Sequence, residues 1–291
     1  MMKYGSKYIY YALAACLIWG TVYVAIKVGI NHGFRPYTFA GIRFVSGGLI
    51  LLAISWMKGR LHLTRQEFRE CCLLGLFQTG IQNAFFFKGV ELTNAGISSI
   101  FINTSPLFVI LLAPLFFHGS RITLGRALGV VVGFGGVVLA AYKPGQVARD
   151  YALGIVLLML SAFTWGSSSI WAKKIMMRGD TLTITGAQMT MGALPLLVAG
   201  LVLEGPPMAG VDEAGWLMLG YLIVFATSLP FFLWYSALAH GEVGQVSVFT
   251  FSLPILGVFS GWLFLGEALH ASVVTGMLMV AFGIILVNWR D

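Results

Sequence analysis

Long apolar runs dominate the chain, and short polar stretches interrupt them. The runs read as ten candidate spans: Ile9–Ile30, Tyr37–Met57, Cys71–Gly89, Ala95–Phe117, Leu124–Tyr142, Leu153–Trp171, Leu182–Val202, Gly215–Leu238, Gly244–Leu265 and Ala271–Trp289. Each is about the 20 residues that a helix needs to cross a bilayer core. Pro106, Pro114, Pro195, Pro230 and Pro254 lie inside these runs. In a membrane bundle, neighbouring helices can re-satisfy the backbone groups that proline frees. No connection is long enough to form a separate soluble domain.

The pattern is written twice. Trp19-Gly20 is followed by Lys27, and 146 residues later Trp165-Gly166 is followed by Lys173. Thr38, Gly41, Gly47 and Leu51 in span 2 match Thr183, Gly186, Gly192 and Leu196 in span 7. Thr79 matches Thr227, Pro106 matches Pro254, and Gly129 and Gly136 match Gly276 and Gly283. The halves are residues 1–146 and 147–291, with five spans each. Five is odd, so the second half enters the membrane from the opposite face. The expected architecture is therefore an all-α integral membrane protein: ten transmembrane helices as two inverted five-helix repeats around a central cavity. Such repeats mark many transporters, with the binding site near mid-membrane.

Charge fixes an orientation. With the N-terminus inside, the cytoplasmic side holds Lys3, Lys7, Lys58, Arg60, Arg65, Arg69, Arg121, Arg126, Lys173, Lys174, Arg178 and Arg290, and the other side only Arg35, Lys143 and Arg149. The positive-inside bias places both termini in the cytoplasm. The chain is 58% hydrophobic and 10% charged, with mean hydropathy +0.87. Soluble domains carry about 25% charged residues, so the partner is a lipid bilayer. The net charge of +7 sits in short loops, not in a nucleic-acid-binding patch. Cys16, Cys71 and Cys72 have neither disulfide nor metal spacing, and no cofactor is implied.

The Trp-Gly…Lys opening of each half, the proline of spans 4 and 9, and Phe264-Leu265-Gly266-Glu267 followed by Gly276 and Gly283 resemble the drug/metabolite transporter superfamily, and within it the EamA family. The resemblance covers nearly the whole chain. It implies a ten-helix basket in a cell inner membrane and export of small organic metabolites such as amino acids. The chain departs from the pattern at Ser120, which stands where the first half would match Glu267. A helix-terminus role near the start of span 10 is expected for Glu267.

All eleven Asp and Glu and all five His fall in loops or at span ends. Proton pumps usually place such groups inside the membrane, so uncoupled facilitation or exchange is expected. An intramembrane enzyme would need an activating His or acid beside its nucleophile; none is embedded here. The embedded charges are Lys27, Arg43 and Lys88. Snorkelling is the expectation for Lys27 and Lys88. Arg43 lies roughly 7–9 Å into span 2 at 1.5 Å per residue and matches Gln188. It is a candidate for binding a substrate carboxylate.

Gln78 and Gln82 are spaced i,i+4 and share a face of span 3, with Asn83 beside them. Asn103 and Ser105 precede Pro106, which should free the carbonyl of Ile102 one turn back. Helix–helix hydrogen bonding is the competing account of these amides. Span 8 is aromatic at Phe231, Phe232, Trp234 and Tyr235; interfacial anchoring competes there. Trp19 and Trp165 lie nearer the span centres. The candidate substrate-binding residues are thus Trp19, Arg43, Gln78, Gln82, Asn103, Pro106, Trp165, Phe231, Trp234 and Tyr235. The glycines of spans 5 and 10 are expected to pack helices closely, within the chain or across a weak homodimer. Phosphorylated or nucleotide-linked sugars are the alternative substrate class, and a receptor or scaffold without flux is the alternative of another kind.

Overall fold

The computed structural model describes residues 7–116, 123–141, 149–205, 210–241, 246 and 248–288. All regular structure among them is helical. In chain order the helices are α1 (Lys7–Trp19), α2 (Val22–Asn31), α3 (Pro36–Met57), α4 (65–92), α5 (Ala95–Ile102), α6 (Ser105–Phe116), α7 (Leu124–Ala141), α8 (Arg149–Met176), α9 (Thr181–Leu203), α10 (Glu213–His240), α11 (Ser252–Leu265) and α12 (Ala271–Asn288). Five rods are long and apolar enough to cross a membrane: Tyr8–Asn31, Pro36–Met57, Arg149–Met176, Thr181–Leu203 and Glu213–His240. Shorter apolar helices run over Ala127–Ala140, Ser252–Leu265 and Ala271–Leu286.

Several expected spans are longer or less regular than their apolar runs. Span 3 extends back to Arg65, because Thr64 and Glu67 form a capping box at its polar start. Two bonds from Thr64 hold the Glu67 carboxyl below the usual carboxylate range. Span 1 breaks at Gly20-Thr21. There the Ser260 hydroxyl donates to the Gly20 carbonyl (2.9 Å), and the Thr21 hydroxyl donates to that of Ile18 (2.8 Å). Span 4 breaks at Asn103-Thr104. Span 9 reaches α11 through a 3₁₀ turn over Val248–Phe251. Helices α4 and α10 each contain a π turn, over Leu76–Ile81 and Val224–Ser228, around the matched threonines Thr79 and Thr227.

Small residues set the main helix contacts. A Cβ built on Gly136 would lie 2.6 Å from the Gly276 carbonyl oxygen, and one on Gly283 would lie 2.6 Å from that of Gly129. Only glycine lets α7 and α12 approach so closely, and here the seam packs within the chain. Helices α3 and α9 cross similarly, with Gly41 against Leu197, Gly186 against Leu52, and Gly200 against Thr38. A hydrogen bond joins Ser55 to Thr183 (2.5 Å).

Two of the expectations for charged residues are corrected. Lys27 does not snorkel. Its Nζ donates to the carbonyls of Val90 (3.0 Å), Glu91 (2.8 Å) and Thr93 (2.5 Å). These are the orphan acceptors that every helix leaves at its C-terminus, here the end of α4. Lys88 pairs with Glu91 in its own helix. Glu267 does cap a helix, but that helix is α5 and not the one it precedes. Its carboxylate accepts from the backbone N–H of Ala95 (2.7 Å) and Gly96 (2.9 Å). One turn between α4 and α5 is thus held by a cation at its carbonyls and an anion at its amides. Glu204 caps α3 in the same way, accepting from the N–H of Tyr37 and Thr38 (2.8 Å each). Ser120 lies outside the described residues.

Lys27→Met and Glu267→Ala should each destabilise the fold by about 2 kcal/mol, the scale of hydrogen bonds to charged groups. Lys88→Met should cost less than about 0.5 kcal/mol, as an i,i+3 helix pair does. Thermal unfolding in detergent checks all three, and equal effects would contradict the assignment of Lys27 to the end of α4.

Candidate functional site

Every irregular step in the helices borders one cavity of about 90 Å³. Trp19, Val22 and Tyr23 face it around the break in span 1. Gln82, Asn83 and Phe86 follow the π turn of α4, and Phe231 and Trp234 follow that of α10. Ile102, Asn103 and Ser105 flank the break between α5 and α6, while Thr250 and Leu253 come from the 3₁₀ turn and the start of α11. Arg43 and Phe44 of α3 and Trp165 of α8 complete the wall. Irregular backbone at membrane depth is tolerated where it lines a cavity or is buried in protein, and this bundle follows that rule at each step.

One part of the wall is aromatic. The ring of Trp19 lies edge-on to Trp165 (6.2 Å between centroids) and to Phe231 (5.2 Å), and tilted against Trp234 (5.4 Å). Phe231 also meets Trp165 (5.9 Å) and Phe44 (5.5 Å) edge-on. Trp234 is only 4% exposed, so it is not an interfacial anchor. The rest of the wall combines the apolar Val22, Phe86, Ile102 and Leu253 with a polar part. Asn103 Nδ2 donates to the Tyr23 hydroxyl (2.8 Å) and to the Ser99 carbonyl (2.7 Å). Gln82 Nε2 donates to Ser161 Oγ (2.8 Å). Asn83 Nδ2 donates to the Thr79 carbonyl (2.9 Å), serving a π-turn acceptor.

Arg43 is 2% exposed. Its Nε donates to Thr227 Oγ1 (2.5 Å) and its Nη2 to the Ala226 carbonyl (2.9 Å). Ala226 lies four residues before Pro230, which has no N–H to return to it. The guanidinium supplies the missing donor. It also lies 4.8 Å from the Phe44 ring centroid and 5.7 Å from that of Phe87. No carboxylate forms an ion pair with it among the described residues. The matched position in α9, Gln188, accepts from Thr79 Oγ1 (2.9 Å) in the π turn of α4.

The structure brings seven of the ten candidates together: Trp19, Arg43, Gln82, Asn103, Trp165, Phe231 and Trp234. Gln78, Pro106 and Tyr235 do not line the cavity. Gln78 and Gln82 were expected on one face. The π turn between them adds a residue to that turn and rotates Gln78 away, leaving its amide buried without a partner. Tyr235 follows Trp234 by one residue and points into the packed core. Pro106 is the second residue of α6, where a helix tolerates proline. The chain has already broken at Asn103-Thr104, so Pro106 interrupts no helix. Val22, Tyr23, Phe44, Phe86, Thr250 and Leu253 were missed. Tyr23 sits four residues after Trp19, which was a usable signal; Val22, Phe44, Phe86 and Leu253 are ordinary apolar residues, and Thr250 lies in a 3₁₀ turn that the apolar run does not announce.

Residues 6–142 and 152–289 match the EamA-like transporter family, and the chain belongs to it. The uncharacterized transporter YoaV of Bacillus subtilis is 24% identical over 94% of each chain. The uncharacterized inner membrane transporter YedA of Escherichia coli is 23% identical over 94% of this chain and 88% of its own. A protein of known crystal structure superposes with a TM-score of 0.73 at 17% identity, covering 97% of this chain and 96% of the other, and so shares the fold. The protein is therefore a multi-pass membrane protein of a transporter family.

In a background with Cys16, Cys71 and Cys72 replaced, Ser105→Cys should react with a small thiol reagent in membranes. Ser99→Cys, buried outside the cavity wall, should react at least about tenfold more slowly, as burial of the thiol demands. Mass spectrometry of labelled protein checks this.

Proposed function

We propose that the protein is a secondary transporter, an exporter, of small neutral or zwitterionic organic metabolites such as amino acids. It works by alternating access between two inverted five-helix halves, as uniport or exchange. Its ten spans cross a cell inner membrane with both termini cytoplasmic, and it acts as a monomer or weak homodimer. The observation that carries this reading is the composition of the cavity. Residues of both halves meet there, presenting aromatic rings, neutral amides and one guanidinium. An amphipathic solute with an apolar part and a carboxylate fits such a wall.

Inversion is supported by the helix contacts. Gly129 and Gly136 correspond to Gly276 and Gly283, and the contacts run Gly129 to Gly283 and Gly136 to Gly276. Each residue meets the counterpart of the residue that meets its own counterpart, the signature of a two-fold axis. Gly41 against Leu197 and Gly186 against Leu52 obey the same exchange. So do the pairs Arg43 with Thr227 and Gln188 with Thr79.

The lining residues include no carboxylate or histidine, which favours flux driven by the solute gradient. Phosphorylated sugars need several cationic contacts, and Arg43 alone among the lining residues is cationic. Flux of amino acids should be measured in proteoliposomes, with Trp165→Ala expected to lower it about tenfold or more, as loss of a stacking wall does. An imposed pH gradient should leave accumulation unchanged. Proton-driven accumulation, or unaltered flux in the variant, would overturn the reading.

A further inference from the structure

Three amides line the polar wall, and all three are turned the same way. Asn103 spends both N–H groups of Nδ2, on the Ser99 carbonyl and the Tyr23 hydroxyl. Asn83 Nδ2 donates to the Thr79 carbonyl. A carbonyl only accepts, so these two bonds fix which end of each amide is nitrogen. Gln82 is fixed less directly. The Ser161 hydroxyl donates to the Gln82 backbone carbonyl (3.1 Å), so Ser161 Oγ must accept from Gln82 Nε2. The donors therefore point into protein. The three amide oxygens have no hydrogen-bond partner among the described residues, and each keeps some accessible surface on a residue that lines the cavity. Each side chain is at least 95% buried.

We propose that Gln82 Oε1, Asn83 Oδ1 and Asn103 Oδ1 form the subsite for a protonated amine, so that this transporter selects solutes bearing an ammonium group. The inference rests on the transporter reading above and adds the group that the wall reads. Buried amide oxygens that lack a donor in the protein favour a ligand that brings donors. An ammonium brings three. A hydroxyl brings one donor and a carboxylate none, so neither satisfies three oxygens. Arg43 remains for a carboxylate on the same solute, and the amine and the acid are then read by different residues.

The test uses three probes of one shape: leucine, 4-methylpentanoate, which lacks the amine, and 3-methylbutylamine, which lacks the acid. Binding to the purified full chain is read from fluorescence of the cavity tryptophans. In the wild-type protein, leucine should bind about tenfold or more tightly than 4-methylpentanoate, the scale of one hydrogen bond to a charged group. The amine should compete with leucine. Asn103→Leu and Gln82→Leu should each weaken leucine about tenfold and leave 4-methylpentanoate unchanged. The ratio of the two probes is an internal control, because a misfolded variant loses both, and the wild-type series stands without any variant. Equal binding of acid and amino acid in the wild-type protein, undiminished leucine binding in both variants, or silence of all three probes overturns the proposal. Amine-selective binding without flux in liposomes would instead sink the transporter reading and leave the subsite standing.

Discussion

Backbone polar groups inside a bilayer have no water to bond, so each irregular step of a spanning helix must find its partners within the protein. That constraint organises this molecule. The break at Gly20-Thr21 is closed by Ser260, the π turn of α4 by Asn83, and the π turn of α10 by Arg43. The side chains that satisfy the backbone are polar, and the steps they satisfy border the cavity. Two of these residues, Asn83 and Arg43, also line the cavity. Arg43 shows this most directly, since its buried charge is held by a carbonyl that proline left open and by the neighbouring threonine.

Charged side chains elsewhere follow the same logic at helix ends. Lys27 meets the orphan carbonyls of α4, while Glu267 and Glu204 meet the orphan amides of α5 and α3. Cations belong at C-termini and anions at N-termini by the sign of the helix dipole. At the loops, the His32 ring bonds to Asp212 (2.7 Å) and holds its carboxyl below the usual carboxylate range. These acids were legible in the sequence as loop residues. Their targets were not, because each partner lies some 170 residues away along the chain and no local pattern announces it.

Much of the helix pattern was readable because apolar runs of bilayer length have few alternatives. The candidates Trp19 and Trp165 were readable because the chain repeats them near span centres. Gln78 failed for a physical reason: the i,i+4 rule assumes an unbroken α-helix, and the π turn at Leu76–Ile81 shifts the phase. Spacing predicts a freed carbonyl at Ile102, one turn before Pro106, whereas the structure has it at Ala226, one turn before Pro230. What separates the two is whether the chain has already left the helix before the proline, and residue spacing does not encode that.

The irregular steps have a mechanical consequence. The break between α1 and α2 stands beside the π turn of α10, and Thr21 bonds to Tyr221 just before that turn (2.6 Å). Two adjacent rods thus carry their joints side by side, next to the cavity. Bending concentrated there tilts whole helix segments while the regular hydrogen-bond ladders on either side stay intact.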